Sequence, residues 1–170
     1  MHFTRVQVQA EPFDVATEIA AVQHGDAGVG AVVSFVGTVR DLSPQAGAGL
    51  QALELEHYPG MTERSLQAVV RQARARFDIR GVSLIHRVGR LAVGEGIVLV
   101  VVASAHRGEA FAACEFVMDF LKTQAPFWKK EHTGTGAHWV QARASDDAAC
   151  ARWAAAPAAA QGSTQPAVEP

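Results

Sequence analysis

The chain is short of several features that would fix a function class at once. It has two cysteines, Cys114 and Cys150, too far apart for a CxxC metal clip and too few for a disulfide framework. Charge of neither sign dominates: the net charge is −2 and the pI about 6.4, so bulk electrostatics give no reason to expect nucleic acid. The longest apolar run, Ile97 to Ala103, is far too short to span a bilayer. The N-terminal Met1-His2-Phe3-Thr4-Arg5-Val6 lacks the apolar core of a secretory signal. No GxGxxG or Walker A motif opens a helix, which argues against dinucleotides and ATP by those routes. No GxSxG elbow supports a triad from Ser104, His106 and Asp119. Among the seven histidines there is no HxxxH or HExxH spacing, so no metal is expected. A soluble cytoplasmic protein is the expectation.

What is present suffices for one domain: 170 residues with 49% hydrophobic content. Alternation of Phe3, Val6 and Val8 predicts an edge strand over 3–8, and the spacing of Phe13, Val15, Ile19 and Val22 a helix over 13–22. The β-branched run from Gly28 to Arg40 is strand-like, its glycines marking bulges or close backbone approach. A loop at 43–49 precedes a half-exposed strand at 51–57. After the turn Tyr58-Pro59-Gly60, Thr62 is the expected N-cap of a helix over 63–77. This helix buries Leu66, Val69, Val70 and Ala73 and turns Arg64, Arg71 and Arg74 to solvent. Strands follow at 82–88 and 96–103, joined through Gly89, Gly94 and Gly96. A helix over 108–123 ends before Pro126. A last strand at 137–141 and a short helix at 146–153 complete the folded part. The tail from Ala154 to Pro170, Ala/Pro-rich with a single charge, is expected to be disordered. Helices and strands mix without strict βαβ alternation, so the expected class is α+β.

Candidate chemistry gathers in Met118-Asp119-Phe120-Leu121-Lys122-Thr123-Gln124-Ala125-Pro126-Phe127-Trp128-Lys129-Lys130-Glu131. Lys122 ends the apolar row Cys114–Met118–Lys122. A lysine on apolar surface can become a base or nucleophile, although snorkelling or interaction with the helix dipole explains the position equally well. His106 and Arg107 stand at a strand-to-helix junction, where backbone N–H groups would help hold an anion; His106 as a simple helix start is the alternative. Arg40 ends a strand where sites commonly lie. Cys114 reads as a buried small residue, and Trp128, Trp139 and Trp153 as core or interface anchors.

An ordered set of segments carries a resemblance: Val33-Ser34-Phe35-Val36-Gly37-Thr38-Val39-Arg40, Leu53 to Thr62, Ile85-His86-Arg87-Val88-Gly89, Ser104-Ala105-His106-Arg107, Met118 to Thr123, Ala125 to Glu131 and Trp139-Val140-Gln141-Ala142-Arg143. From about residue 3 to Trp153 the chain resembles the large, catalytic subunit family of molybdopterin synthase (the MoaE family). Gln124 stands where a basic residue is expected in relatives. The resemblance implies a domain over 1–153 with an α/β hammerhead core and an additional antiparallel β region. It implies a sulfurtransferase of molybdenum cofactor biosynthesis. Sulfur would pass from the C-terminal Gly-Gly thiocarboxylate of a small ubiquitin-like subunit to cyclic pyranopterin monophosphate (precursor Z), giving the dithiolene of molybdopterin. Large subunits would form a homodimer within a heterotetramer, with no cofactor needed for the transfer. Lys122 matches the essential acid/base or acyl-acceptor lysine, and Lys129 the second functional lysine. His106, Arg107 and Arg40 match anion- and pterin-binding positions, with Phe35 and Met118 as apolar walls. Arg143 matches a residue reaching across the dimer interface. A non-catalytic docking module for a ubiquitin-like sulfur carrier is the alternative from another class; a weaker one is nucleic-acid binding through the Arg64–Arg80 region.

Overall fold

A computed structural model describes residues 2–41, 49–140 and 150–153. Its elements run β1 (Phe3–Gln9), α1 (Val15–Gln23), β2 (Ala31–Thr38), β3 (Leu50–His57), α2 (Met61–Arg76), β4 (Gly81–Arg87), β5 (Gly89–Ala92), β6 (Gly96–Ser104), α3 (Arg107–Gln124), β7 (Phe127–Thr133) and β8 (Gly136–Val140). They build two four-stranded sheets, in the orders β1-β4-β6-β2 and β5-β3-β7-β8. β1 is parallel to β4, and the other pairings are antiparallel. This is the expected α+β architecture, a helix-covered core sheet with an additional antiparallel region.

The first sheet is covered on both faces. Val82, Leu84, Val98, Val100 and Val102 point toward α2 and α3, joining Leu66, Val69, Ala113, Val117 and Leu121. Ile85, Leu99, Val101 and Ala103 point the other way, toward α1 and its Val22. Burial on both faces is why β6 reads as an unbroken apolar run rather than an alternating one. One charge lies within the second layer: Glu18 of α1, 4% exposed, accepts hydrogen bonds from Ser83 and Arg5, which satisfies a carboxylate that would otherwise be costly to bury.

Several local expectations shift. α1 begins at Val15, because the Asp14 side chain caps it by accepting from the Thr17 N–H at 2.6 Å. α2 begins at Met61, so Thr62 is not its N-cap. Gly60 precedes the helix with φ +79°, and its N–H donates to the Glu63 side chain. The Thr62 hydroxyl instead accepts from the Tyr58 N–H at 3.1 Å and donates to the Pro126 carbonyl at 3.3 Å. β2 is shorter than the Gly28–Arg40 run. Its approach is set by Gly30, whose N–H donates to the Ser104 carbonyl and where an added Cβ would lie 2.3 Å from the Ala105 oxygen. Arg74 leaves the solvated face assigned to it; its guanidinium donates to the carbonyls of Ile79 and Phe3 and to the Thr4 hydroxyl. Strands β5 and β7 were not expected as strands. Trp128 and Trp139 are about half exposed on the second sheet, while Trp153 packs edge-on against Phe77 and Phe116. Residues 150–153 are helical; positions 146–149, Gln141, Arg143 and the 154–170 tail lie outside the described residues. No helix among the described residues is long and apolar enough to cross a membrane.

Candidate functional site

The two lysines flank the junction between α3 and β7. α3 ends because Pro126 cannot continue it; Ala125 is the C-cap, its N–H donating to the Leu121 carbonyl. Met118 and Leu121 are buried under this last turn and Lys122 is exposed beside them. A cation here suits the negative end of the helix dipole. Two residues past the cap the chain enters β7, which pairs with β3 so that His57 faces Phe127 and Leu55 faces Lys129. Phe127 and Lys129 therefore share one face of the second sheet, the face of the buried Leu53 and Leu55. Trp128 and Lys130 share the other, where the Lys130 ammonium lies 5.3 Å from the Trp139 ring centre.

Phe35 lies on β2 beyond Val33, on the face toward α3. It is 40% exposed and Met118 8%, so of the two expected apolar walls one is open to ligand and one is built into the core. The absence of a side chain at Gly37 leaves room for the Phe35 ring, whose edge would lie 3.4 Å from an added Cβ. Arg40 follows Val39, which is buried with Leu53 and Leu55. Val39 is fixed at both backbone groups, its N–H donating to the Glu95 carbonyl and its carbonyl accepting from Gly94. Arg40 is thus delivered, exposed, from a fixed point beside the strand that pairs with Lys129.

His106 and Arg107 do not join this group within one chain. They sit, exposed, at the first residues of α3, and Lys122 is in its last turn. At 1.5 Å per residue the separation along the helix axis is about 22 Å. The N-terminal end is suited to an anion through its free N–H groups and the Arg107 charge.

One residue near the site carries a signal that sequence pattern did not single out. His86 of β4 is 4% exposed and stacks on Phe127 with ring centres 3.7 Å apart and planes 16° from parallel. Its Nδ1 lies 2.8 Å from the Arg87 carbonyl oxygen, a pure acceptor, so Nδ1 carries the proton of the neutral ring. Burial lowers the imidazole pKa to about 4; the Lys129 and His57 charges push it the same way, and the Arg87 bond opposes them. His86 is therefore neutral at physiological pH. Its place on the Val82–Leu84–His86 side of β4 was the available clue: a polar ring where alternation calls for an apolar side chain.

The cysteines offer no reactive thiol by this geometry. Cys114 is buried, which pushes its thiol up to about 11, and Cys150 hydrogen-bonds Thr123 and the Asp119 carbonyl. Among the described residues, no group of three His, Cys, Asp or Glu could hold a metal ion.

A family model described as MoaE protein matches residues 8–124. The chain belongs to the MoaE protein family. It is 56% identical over 148 residues to a molybdopterin synthase catalytic subunit of Ralstonia nicotianae, covering 87% of this chain and 83% of that one. To the protein of the same name in Cereibacter sphaeroides it is 54% identical, covering 88% and 99%. Among solved structures, a MoaE protein of Burkholderia ambifaria superposes with TM-score 0.76 at 49% identity, covering 92% of this chain and all of that one. Molybdopterin synthase of Staphylococcus aureus gives 0.73 at 29% identity, covering 82% and 99%. As a MoaE protein, the chain is an enzyme of molybdenum cofactor biosynthesis.

Proposed function

We propose that this chain is the catalytic subunit that moves sulfur from the C-terminal Gly-Gly thiocarboxylate of a small ubiquitin-like subunit to cyclic pyranopterin monophosphate, forming the molybdopterin dithiolene. The observation that carries the reading is the α3–β7 junction, which sets Lys122 and Lys129 on either side of one Pro126 turn in a MoaE family chain. An extended Gly-Gly terminus has no side chains to exclude it from such a junction. Each transfer forms a pterin carbon–sulfur bond as a carbon–oxygen bond there breaks, and water, directly or after Lys122, takes the acyl carbon as its bond to sulfur breaks, returning the small subunit as its carboxylate. Both need proton movement and stabilised negative charge. Lys122 serves as general acid/base or transient acyl acceptor. Lys129 and Arg40 orient anionic groups, and Phe35 forms the exposed apolar wall, with Met118 in the packed layer beneath α3's last turn.

The 22 Å along α3 supports a division of labour between two copies. In a homodimer within a heterotetramer, His106 and Arg107 of one copy bind the phosphate of a substrate held at Lys122 of the other, and Arg143 also crosses between copies. The transfer itself uses no metal or organic cofactor. Two free cysteines accord with a reducing, cytoplasmic site of action.

Single-turnover conversion of precursor Z with thiocarboxylated small subunit tests the reading. Dithiolene product from wild type and none from Lys122→Ala is the expected result. Partner binding without product in the wild type would instead favour a docking module. Mixed dimers of Lys122→Ala with Arg107→Ala protomers should regain activity from the one intact composite site; no recovery would place both residues in the same chain's site.

A further inference from the structure

We propose that His86 is a positioning residue for Lys129: its buried ring clamps Phe127 and so fixes the start of β7 from which the lysine projects. The inference rests on the reading of Lys129 as functional.

β7 has little of its own to hold it. Its sequence, Phe-Trp-Lys-Lys-Glu-His-Thr, is mostly polar, none of its residues is fully buried, and it follows a helix directly across a proline. Three contacts fix where it begins. Backbone pairing with β3 sets His57 against Phe127. The Thr62 hydroxyl holds the Pro126 carbonyl to the start of α2. The His86–Phe127 stack joins the first sheet to the second. Pairing alone defines the register of a strand but not its height above a neighbouring layer; the stack supplies that height.

The clamp is itself fixed. His86 is tied through Nδ1–H to the Arg87 carbonyl. The Arg87 guanidinium, 6% exposed as a residue, donates to the carbonyls of Ala10 and Gly96 and pairs with Glu95. The chain of contacts runs from the ends of β1 and β6 through Arg87 and His86 to Phe127. Lys129 comes two residues later on the same face. A ring of this polarity also leaves the site's charge alone. Lys129 from β7 and His57 from β3 both act electrostatically on His86; His57 is itself 3.6 Å from Glu63 of α2. With the imidazole neutral, no additional cation opposes the Lys129 ammonium.

A double-mutant cycle in the assembled enzyme tests this: wild type, His86→Ala, Lys129→Ala and the double variant, in single-turnover sulfur transfer. Misplacing a reacting group by about 1 Å costs on the order of 100-fold. His86→Ala is therefore expected to slow transfer by roughly 10- to 100-fold, with partner and substrate affinity little changed. In the Lys129→Ala background the same substitution should cost nothing more, because its effect passes through the lysine. His86→Phe, which keeps a stacking ring, should restore most of the rate. If His86→Ala fails to fold, Phe127→Leu makes the test from the other side of the stack. A second readout does not need turnover: in protein carrying ¹³C-methylated lysines, His86→Ala should move the Lys129 resonance and its titration more than those of Lys122 or Lys130. A folded His86→Ala with wild-type rate, or a loss that multiplies with Lys129→Ala, would overturn the proposal. Full activity in Lys129→Ala would overturn the functional-lysine reading instead, leaving the clamp to be judged by the resonance: movement supports it and an unmoved signal refutes it.

Discussion

The two sheets are built to different standards. In the first, all seven residues of β4 are buried, and β6 is buried from Val98 to Ser104 between α1 on one face and α2 with α3 on the other. In the second, burial is confined to Ala52, Leu53 and Leu55 of β3 and Leu91 of β5, and β7 and β8 have no fully buried residue. The candidate catalytic groups do not lie within the well-packed sheet. Lys122 stands at the end of a helix packed on it, Arg40 just past its edge strand, and Lys129 on the thin sheet beside it. A stiff layer sets distances while an open layer admits a partner. The division also separates what mutations should do: truncations within the packed sheet should cost chiefly stability, and changes at its border with the other chiefly rate.

The largest effect should be catalytic and nearly silent in stability. Lys122→Ala is expected to lower single-turnover sulfur transfer by about 100-fold or more, the scale of a lost general acid/base. Because Lys122 is exposed, its urea midpoint should stay at the wild-type value. A variant that lost rate only in proportion to lost folded protein would erase the distinction between the sheets. Leu99→Ala should do the reverse. Leu99 has no exposed surface and packs among Val22, Ile85 and Val101, so truncation should cost about 2–5 kcal/mol. The folded fraction should keep its turnover.

A smaller effect sharpens the border between the sheets through pH. The His86 imidazole titrates near 4 in the folded chain against 6.5 ordinarily. As pH falls from neutrality the unfolded ring takes up a proton and the folded ring does not, so the unfolded state binds more protons and stability declines toward pH 4. Between pH 7.5 and 5 the loss from this one group is about 2 kcal/mol. Asp26, beside Arg80, and Glu54, bonded to His132, have carboxyl pKa values lowered by those contacts. Their stabilisation is present above the ordinary carboxylate range and is lost at lower pH, largely below this window. Urea midpoints of wild type and His86→Phe across pH 7.5 to 5 check the point: the variant's curve should be flatter.

The same contrast decides how much could be read from sequence. Nine of the eleven elements among the described residues lie where sequence pattern put them, chiefly because the first sheet and its helices are held by apolar burial, which leaves a pattern in the chain. β5 and β7 left none. Gly89–Ala92 is four residues long, and its place depends on pairing with β3. Lys129 to His132 carries charges that no strand rule favours, and it is a strand because β3 and β8 flank it. Thr62 misled for a related reason: its hydroxyl bonds across to Pro126 rather than along its own helix. Lys122 was legible as a helix-end cation but not as a functional one; that reading needed the ordered family segments. The separation of His106 and Arg107 from Lys122 was already contained in the helix expected over 108–123, whose two ends they occupy, whereas His86 required knowing what lies above the sheet.

The smallest expected effect concerns the last turn of α3, where the packed layer meets the catalytic border. Residues 150–153 close onto it: the Trp153 indole N–H donates to the Asp119 carboxylate at 2.8 Å, and Arg152 pairs with Asp119 and Glu115. Trp153 also packs edge-on against Phe77 and Phe116. Trp153→Phe keeps an aromatic ring in that cluster and removes the N–H. Arg152 remains to hold the carboxylate, so the cost should be about 1 kcal/mol, the net worth of one hydrogen bond. The loss should appear in the urea midpoint and leave sulfur transfer unchanged: Asp119, three residues before Lys122, is its neighbour on α3, but Arg152 still pairs with the carboxylate and holds it in place. A drop in rate without a drop in stability would mean that the C-terminal segment helps aim Lys122, and the border between packing and chemistry would then extend across the end of α3 to Trp153.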